Sequence, residues 1–277
     1  MRVELLDGPA VRARAPYLSP SVIGAAFCPD EGHAGPRDIA PAFARAAAAA
    51  GAAFMTETRV VGIARRAGGF AVLLDEDGAR GARREVLADS LVIAAGAWTA
   101  SVGALANLHL PLFPVALTMS VTERRAPYIG HLVQHAGRRL SLKQAHSGNV
   151  LIGGGWPARL AQAPDGRGFD LERPASVDPA RLTLNLQAAC EVVPSVRALN
   201  LIRTWTGMVA QHRRPVSAAR RRSRAPGIYV AAGGAGFSQG PTFARLISEL
   251  ILTGQASEPI DLYDPARFHA VNSFMGL

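Results

Sequence analysis

The chain has 277 residues, of which 49% are hydrophobic and 18% charged, and a formal net charge of +9. That length suits one large or two modest domains with a sizeable core, and no apolar run approaches the ~20 residues of a membrane span. Two cysteines, Cys28 and Cys190, exclude a disulfide framework or a cysteine-based zinc site.

Residues 1–29 are rich in proline and glycine, with short apolar pieces such as Ser21–Phe27, and are read as a connecting segment. The opening Met1–Pro9 has no apolar signal core, so a cytoplasmic protein is expected. Asp30–Pro36 is a loop that enters a helix over Ile39–Ala50, with Pro36 in its first turn and Gly51 as its stop. Ile39, Phe43 and Ala47 recur at helical spacing, which predicts a packed helix. Strands are expected at Arg59–Arg65, Phe70–Leu74, Glu85–Leu87 and Leu91–Ala95, with the turn Asp75-Glu76-Asp77-Gly78 between the second and third. The run Leu91–Ala95 is apolar throughout and predicts a strand buried on both faces, ending on the small-residue turn Ala94–Ala97 and Trp98.

Beyond Trp98 the texture changes. Pro111 and Pro114 mark a boundary. Strands follow at Val115–Glu123, Arg139–Gln144 and Val150–Gly153, with Ser147-Gly148-Asn149 as a hairpin signal. Asp178-Pro179 opens a helix over 178–199 with Leu182, Leu186, Ala189 and Val193 on its apolar face. Leu201–Gly207 is a strand, and so is Ile228–Ala232. A last helix begins near Pro241, carries Phe243, Leu246, Ile247, Leu250 and Ile251 on one side, and ends at Gly254.

The charge does not lead to nucleic acid. Arginine supplies all but one of the 30 basic residues, Lys143 being the exception. The densest cluster, Arg220–Arg224, precedes a loop signal and has no aromatics for base stacking. His131 and His135 are four apart, but the residues before them suggest loop or strand and no third ligand follows, so no metal site is expected. Gly153-Gly154-Gly155 leads into Trp156-Pro157 and is not a phosphate loop; His33 is read as a surface residue.

The best site candidate is Gly233-Gly234-Ala235-Gly236-Phe237, which joins a strand to the last helix and offers unpaired N–H groups to a ligand. Together with Val60-Val61-Gly62-Ile63 and Ala94–Trp98 in that order, it resembles the FAD-dependent oxidoreductases of the D-amino-acid oxidase, glycine oxidase and sarcosine oxidase type. The resemblance runs from about Val3 to Phe268. It implies an α/β chain, α+β overall. A partial FAD-binding Rossmann-like domain (30–105 and 226–277) would carry an inserted, mainly antiparallel substrate domain (106–225). It also implies an FAD-binding role for Val61, Ala95, Gly96, Trp98, Gly233, Gly234, Ala235, Gly236 and Phe237. Arg203 and Arg213 are the candidates for holding a substrate carboxylate.

The implied reaction oxidises the C–N bond of a small amino acid, N-substituted glycine or opine to an imine; no residue is singled out as catalytic. The sequence departs from the family at two places besides its start. The Gly233–Gly236 turn is about two residues short, and Val209–Val216 lacks the family's Asp-Gly. The family's opening strand, G-x-G-x-x-G turn and ribose-binding acid find no match. The chain therefore reads as such an enzyme without its first part. It would need a partner chain or further segment to act, or else be a non-catalytic remnant or interaction subunit that does not retain FAD alone.

Overall fold

The structure is a computed structural model that describes residues 2–76, 83–166, 168–211, 226–260 and 263. In chain order the elements are β1 (Glu4–Asp7), α1 (Gly8–Arg14), β2 (Gly24–Phe27), α2 (Pro36–Ala49), β3 (Thr58–Arg66), β4 (Gly69–Glu76), β5 (Arg83–Ala88), β6 (Leu91–Ile93), α3 (Thr99–Leu105), β7 (Phe113–Arg124), β8 (Val133–His135), β9 (Leu140–Gln144), β10 (Asn149–Gly153), α4 (Pro179–Val192), β11 (Leu201–Gln211), β12 (Ile228–Val230) and α5 (Gly236–Thr253). They fall into two units: Met1–Ala53 with Ala116–Gly207, and Phe54–Val115 with Met208–Leu277. Residues 30–53, grouped from the sequence with the cofactor-holding half, sit in the first unit, as do residues 1–29.

The first unit is built on a five-stranded sheet in the order β11-β7-β10-β9-β8. The pairings of β9 with β8 and of β10 with β7 and β9 are antiparallel. Alternation turns Leu140 and Leu142 of β9 and Val150 and Ile152 of β10 to one face. There they meet Ala189, Val192, Val193 and Val196, and the eight side chains form one continuous core. The α4 helix starts where the sequence places it, because Asp178 accepts from the N–H groups of Ala180 and Arg181 and Pro179 occupies the first turn. It ends at Val192, earlier than the 178–199 expectation. Val193 leaves helical geometry ahead of Pro194, and a short 3-10 turn covers Pro194–Ala198.

The glycine run after β10 is structural. Gly154 has φ +131° and its missing Cβ would run into the Arg139 backbone; a Cβ on Gly153 would meet Met119. Gln144, at the end of β9, ties the 125–129 segment to the β9–β10 hairpin. Its Oε1 accepts from the N–H groups of Tyr128 and Ile129, and its Nε2 donates to the carbonyls of Arg125, Ala126 and Gly148.

Two features of this unit differ from expectation. The connecting segment holds the antiparallel pair β1–β2 around α1. The α2 helix has the expected ends, with Pro36 in its first turn and Gly51 at φ +97° beyond its cap, but none of its residues is buried and Phe43 is exposed. Helical spacing states which residues share a face, and a neighbouring element decides whether that face is covered.

In the second unit β3-β4-β5 form the expected antiparallel meander. Asp75 and Glu76 close β4, while Asp77 and Gly78 lie outside the described residues. The strands β6 and β12 pair in parallel, Leu91 with Ile228, Val92 with Tyr229 and Ile93 with Val230. Ile93 and Ile228 pack with Phe70 of the meander. Tyr229 packs with Leu246, Ile247 and Leu250 of α5.

The Leu91–Ala95 expectation is corrected here: the strand stops at Ile93, and Val92 keeps 42% of its surface exposed. Among the described residues β6 pairs only with β12, so one stretch of its apolar surface has no neighbour to cover it. The last helix begins at Gly236, five residues before Pro241, so the proline lies inside the helix, where it cannot donate to the Phe237 carbonyl. Gly254, at φ +77°, ends it as expected. No helix among the described residues is long and apolar enough to cross a membrane.

Candidate functional site

Parallel strands deliver the segments that follow them to the same end of a sheet, and ligands of open α/β sheets collect at that end. Here β6 and β12 are in register, and the pairing is carried one residue on by the Ala231 N–H donating to the Ile93 carbonyl at 2.9 Å. The segments that emerge are Ala94–Trp98 and Ala231–Phe237. The structure therefore brings Ala95, Gly96 and Trp98 to the same end of the strand pair as Gly233, Gly234, Ala235, Gly236 and Phe237.

Each turn is shaped by its small residues. Gly96 has φ +53°, which starts a 3-10 turn over Gly96–Trp98 closed by the Trp98 N–H on the Ala95 carbonyl at 2.9 Å. Gly233 has φ +147°, and its carbonyl accepts from the N–H of Gly236 as α5 begins. Space is open where Gly96 and Gly236 would carry a Cβ. Trp98 and Phe237, the large apolar rings flanking the glycine turns, are exposed. Directly after Trp98, the fully buried Thr99 hydroxyl has no hydrogen-bond partner among the described residues. Ala235 caps α5 without a side-chain hydrogen bond, which leaves the N–H groups of Phe237 and Ser238 to other acceptors.

Val61 lies on β3, in the neighbouring meander of the same unit. The β3–β4 register shifts between Val60, opposite Leu74, and Gly62, opposite Leu73. Val61 is thus the extra residue of a β-bulge, which takes its backbone out of the regular ladder. Bulges of this kind recur beside binding sites, and the sequence alone holds no signal for it.

Gln211, which the sequence reading did not single out, stands against the glycine turn: a Cβ on Gly234 would lie 3.3 Å from its side-chain oxygen. Only the fold brings these residues together across 23 positions. Arg203 is on β11 within the first unit, exposed, with its guanidinium 5.7 Å from the Trp205 ring centre. The two are on one face of the strand, two residues apart. Arg213 lies outside the described residues, as does the Arg220–Arg224 cluster.

The histidines noted in the sequence serve other purposes. The ring of His131 shares a 2.7 Å hydrogen bond with the hydroxyl of Tyr17, whose acidity is weakened mainly by burial. His135 ends β8 and accepts from the N–H of Arg138. No group of three or more potential metal ligands occurs among the described residues.

A family model described as DAO, FAD dependent oxidoreductase, matches residues 1–250. The chain belongs to that family. Among curated relatives of this DAO-family chain, an opine oxidase subunit of Agrobacterium tumefaciens (strain Ach5) is 25% identical over 267 residues, 96% of this chain and 65% of its own length. Glycine oxidase of Geobacillus kaustophilus (strain HTA426) is 27% identical over 249 residues, 89% of this chain and 61% of its own length. The chain therefore spans less than two thirds of these curated relatives.

The crystal structure of L-proline dehydrogenase from P. horikoshii superposes with a TM-score of 0.85 at 25% identity, covering 97% of this chain and 69% of that one. The mixed α/β fold with antiparallel sheets is thus that of the DAO-type FAD enzymes. The residues present fit one edge of a flavin: open glycine faces, free helix-start N–H groups and flanking aromatic rings. A G-x-G-x-x-G turn for the pyrophosphate does not occur in this sequence.

Proposed function

We propose that this chain is the flavin-facing and substrate-covering portion of an FAD-dependent oxidoreductase. Its substrates would be small amino acids, N-substituted glycines or opines. The observation that carries the reading is the parallel β6–β12 pair with its two small-residue turns at one end, in a chain of the DAO family. Bound FAD would supply a two-electron acceptor for the C–H beside the amine nitrogen, and the imine product would hydrolyse in water.

The first-turn N–H groups of α5, at Phe237 and Ser238, would donate to an edge that gains negative charge, aided by the helix dipole. The bulge at Val61 would present backbone groups to the cofactor, and Gly96 would allow close approach. Arg203 would hold a substrate carboxylate through its guanidinium fork, and Arg213 is the second candidate for that role. The pyrophosphate would be held by a partner chain or further segment. The names of the relatives support an amino-acid-like substrate: glycine oxidase, opine oxidase and L-proline dehydrogenase.

A second reading, an interaction subunit that holds no FAD alone, is favoured by the exposed apolar residues Val92, Trp98 and Phe237. One experiment separates the two. The purified chain is mixed with FAD, passed through gel filtration and examined by visible absorption. The enzyme reading expects oxidised-flavin bands that co-elute with protein and bleach under nitrogen on adding glycine, sarcosine or a D-amino acid. A colourless protein peak would sink that reading for this chain alone and leave the interaction subunit.

A further inference from the structure

Within the first unit lies a cavity of about 540 Å³ whose chemistry the flavin reading does not use. Its wall carries Lys143, His33, His146 and His131, with Cys28 and Glu31 on the segment that leads to His33. Lys143 is the only lysine of the chain. On β9 the buried face is Leu140, Leu142 and Gln144, so Lys143 projects from the opposite face, which lines this cavity. The rings of His33 and His146 stack with centres 5.8 Å apart and a tilt of 30°.

These groups are crowded without a counter-charge. Among the described residues no ion pair joins Lys143 to a carboxylate, and Glu31, the one acid of the lining, is paired with none of the cations. Burial depresses the basicity of Lys143. Burial, then the charges of Lys143 and His146, depress that of His33. His131 is engaged by Tyr17. A bound anion would relieve both the desolvation and the mutual repulsion. The volume lies in the range of small-molecule sites, about 300–1,000 Å³.

We propose that this cavity is a binding site for a small dianion, held by Lys143 with the stacked pair His33 and His146. The shared chemistry is an oxyanion with two negative charges, as a phosphate-type tetrahedral group or a dicarboxylate.

The test is calorimetric titration of the full chain with sodium sulfate and, separately, with malonate, at pH 6 and pH 8 and constant ionic strength. Sulfate keeps its charge throughout, so any pH dependence belongs to the protein. Binding of the dianion should tighten by roughly tenfold at the lower pH, because it is favoured by any positive charge the histidine pair gains. Lys143→Met should weaken it by roughly tenfold, the scale of one charged hydrogen bond, whereas Lys143→Arg retains it. His146→Gln, at an exposed position, should flatten the pH dependence and serves as the test if Lys143→Met does not fold. Arg138→Gln removes an exposed charge outside the lining and should leave binding unchanged. Tighter sulfate binding assigns the site to phosphate-type ligands, and tighter malonate binding to dicarboxylates. Absence of saturable binding by either probe, pH-independent binding, or unchanged affinity in Lys143→Met and His146→Gln would overturn the proposal.

Discussion

Val150 and Val92 are both valines in the middle of apolar strand segments; the first has no exposed surface and the second keeps 42% of its own. Val150 belongs to a five-stranded sheet whose inner face is closed by α4, so its neighbours are supplied on every side. Val92 belongs to a two-stranded pair that gathers glycine turns and exposed rings at one end. The same residue type at the same kind of position thus serves a self-sufficient core in one region and an open edge in the other. Exposed apolar side chains gathered at one end of a strand pair are a surface that a ligand or another chain would cover.

The contrast can be broken most directly at Leu142, which lies in the closed core with almost no exposure. Leu142→Ala should lower unfolding free energy by about 2–5 kcal/mol in urea titrations, the usual cost of an uncollapsed core cavity. A loss under about 1 kcal/mol would mean that this core is loosely packed and the contrast is unfounded.

Asp178 tests how α4 is held over the same sheet. The Arg159 guanidinium, aided by the N–H groups of Arg181 and Ala180, holds its carboxyl below the usual carboxylate range. A depressed folded value means that this stabilisation is complete above the ordinary carboxylate pKa of about 4 and is lost as pH falls through the folded value. Thermal unfolding of Asp178→Ala should therefore show a lower midpoint than the parent at neutral pH, with the two converging in strong acid. An equal gap at all pH values would remove the carboxylate from the account.

The smallest effect is expected at the open edge. Val92→Thr should change unfolding free energy by no more than about 0.5 kcal/mol in the isolated chain, as exposed substitutions do. A cost of about 2 kcal/mol would restore the strand buried on both faces that the sequence suggests.

That last case shows where sequence reading stops. The meander, the α2 and α5 stops at Gly51 and Gly254, the Asp178 cap and the Gly148 hairpin are local, and each is written in a few adjacent residues. The apolar run of Leu91–Ala95 states that burial is favourable; it does not state how many neighbours exist to provide it. The pair β1–β2 was invisible because its strands are four residues each and mostly exposed, without alternation.

Of the candidate site, the two glycine turns were legible as strand ends followed by small residues. Their meeting was legible only through resemblance, and the bulge at Val61 and the approach of Gln211 depend on pairing register. Lys143, His33 and His146 were beyond reach, since residues 110 positions apart meet through the fold alone.

Gln144 gives that cavity a mechanical property. Its amide is fastened to five backbone groups of the 125–129 segment and the hairpin, and it is the next residue along β9 from Lys143. The strand that bears the cation is thereby clamped to the chain that runs on into Gly130 and His131 on the cavity wall. A ligand pulling on Lys143 loads that wall as well, so the two sides respond as one rigid jaw, and any widening must come from the side that carries His33.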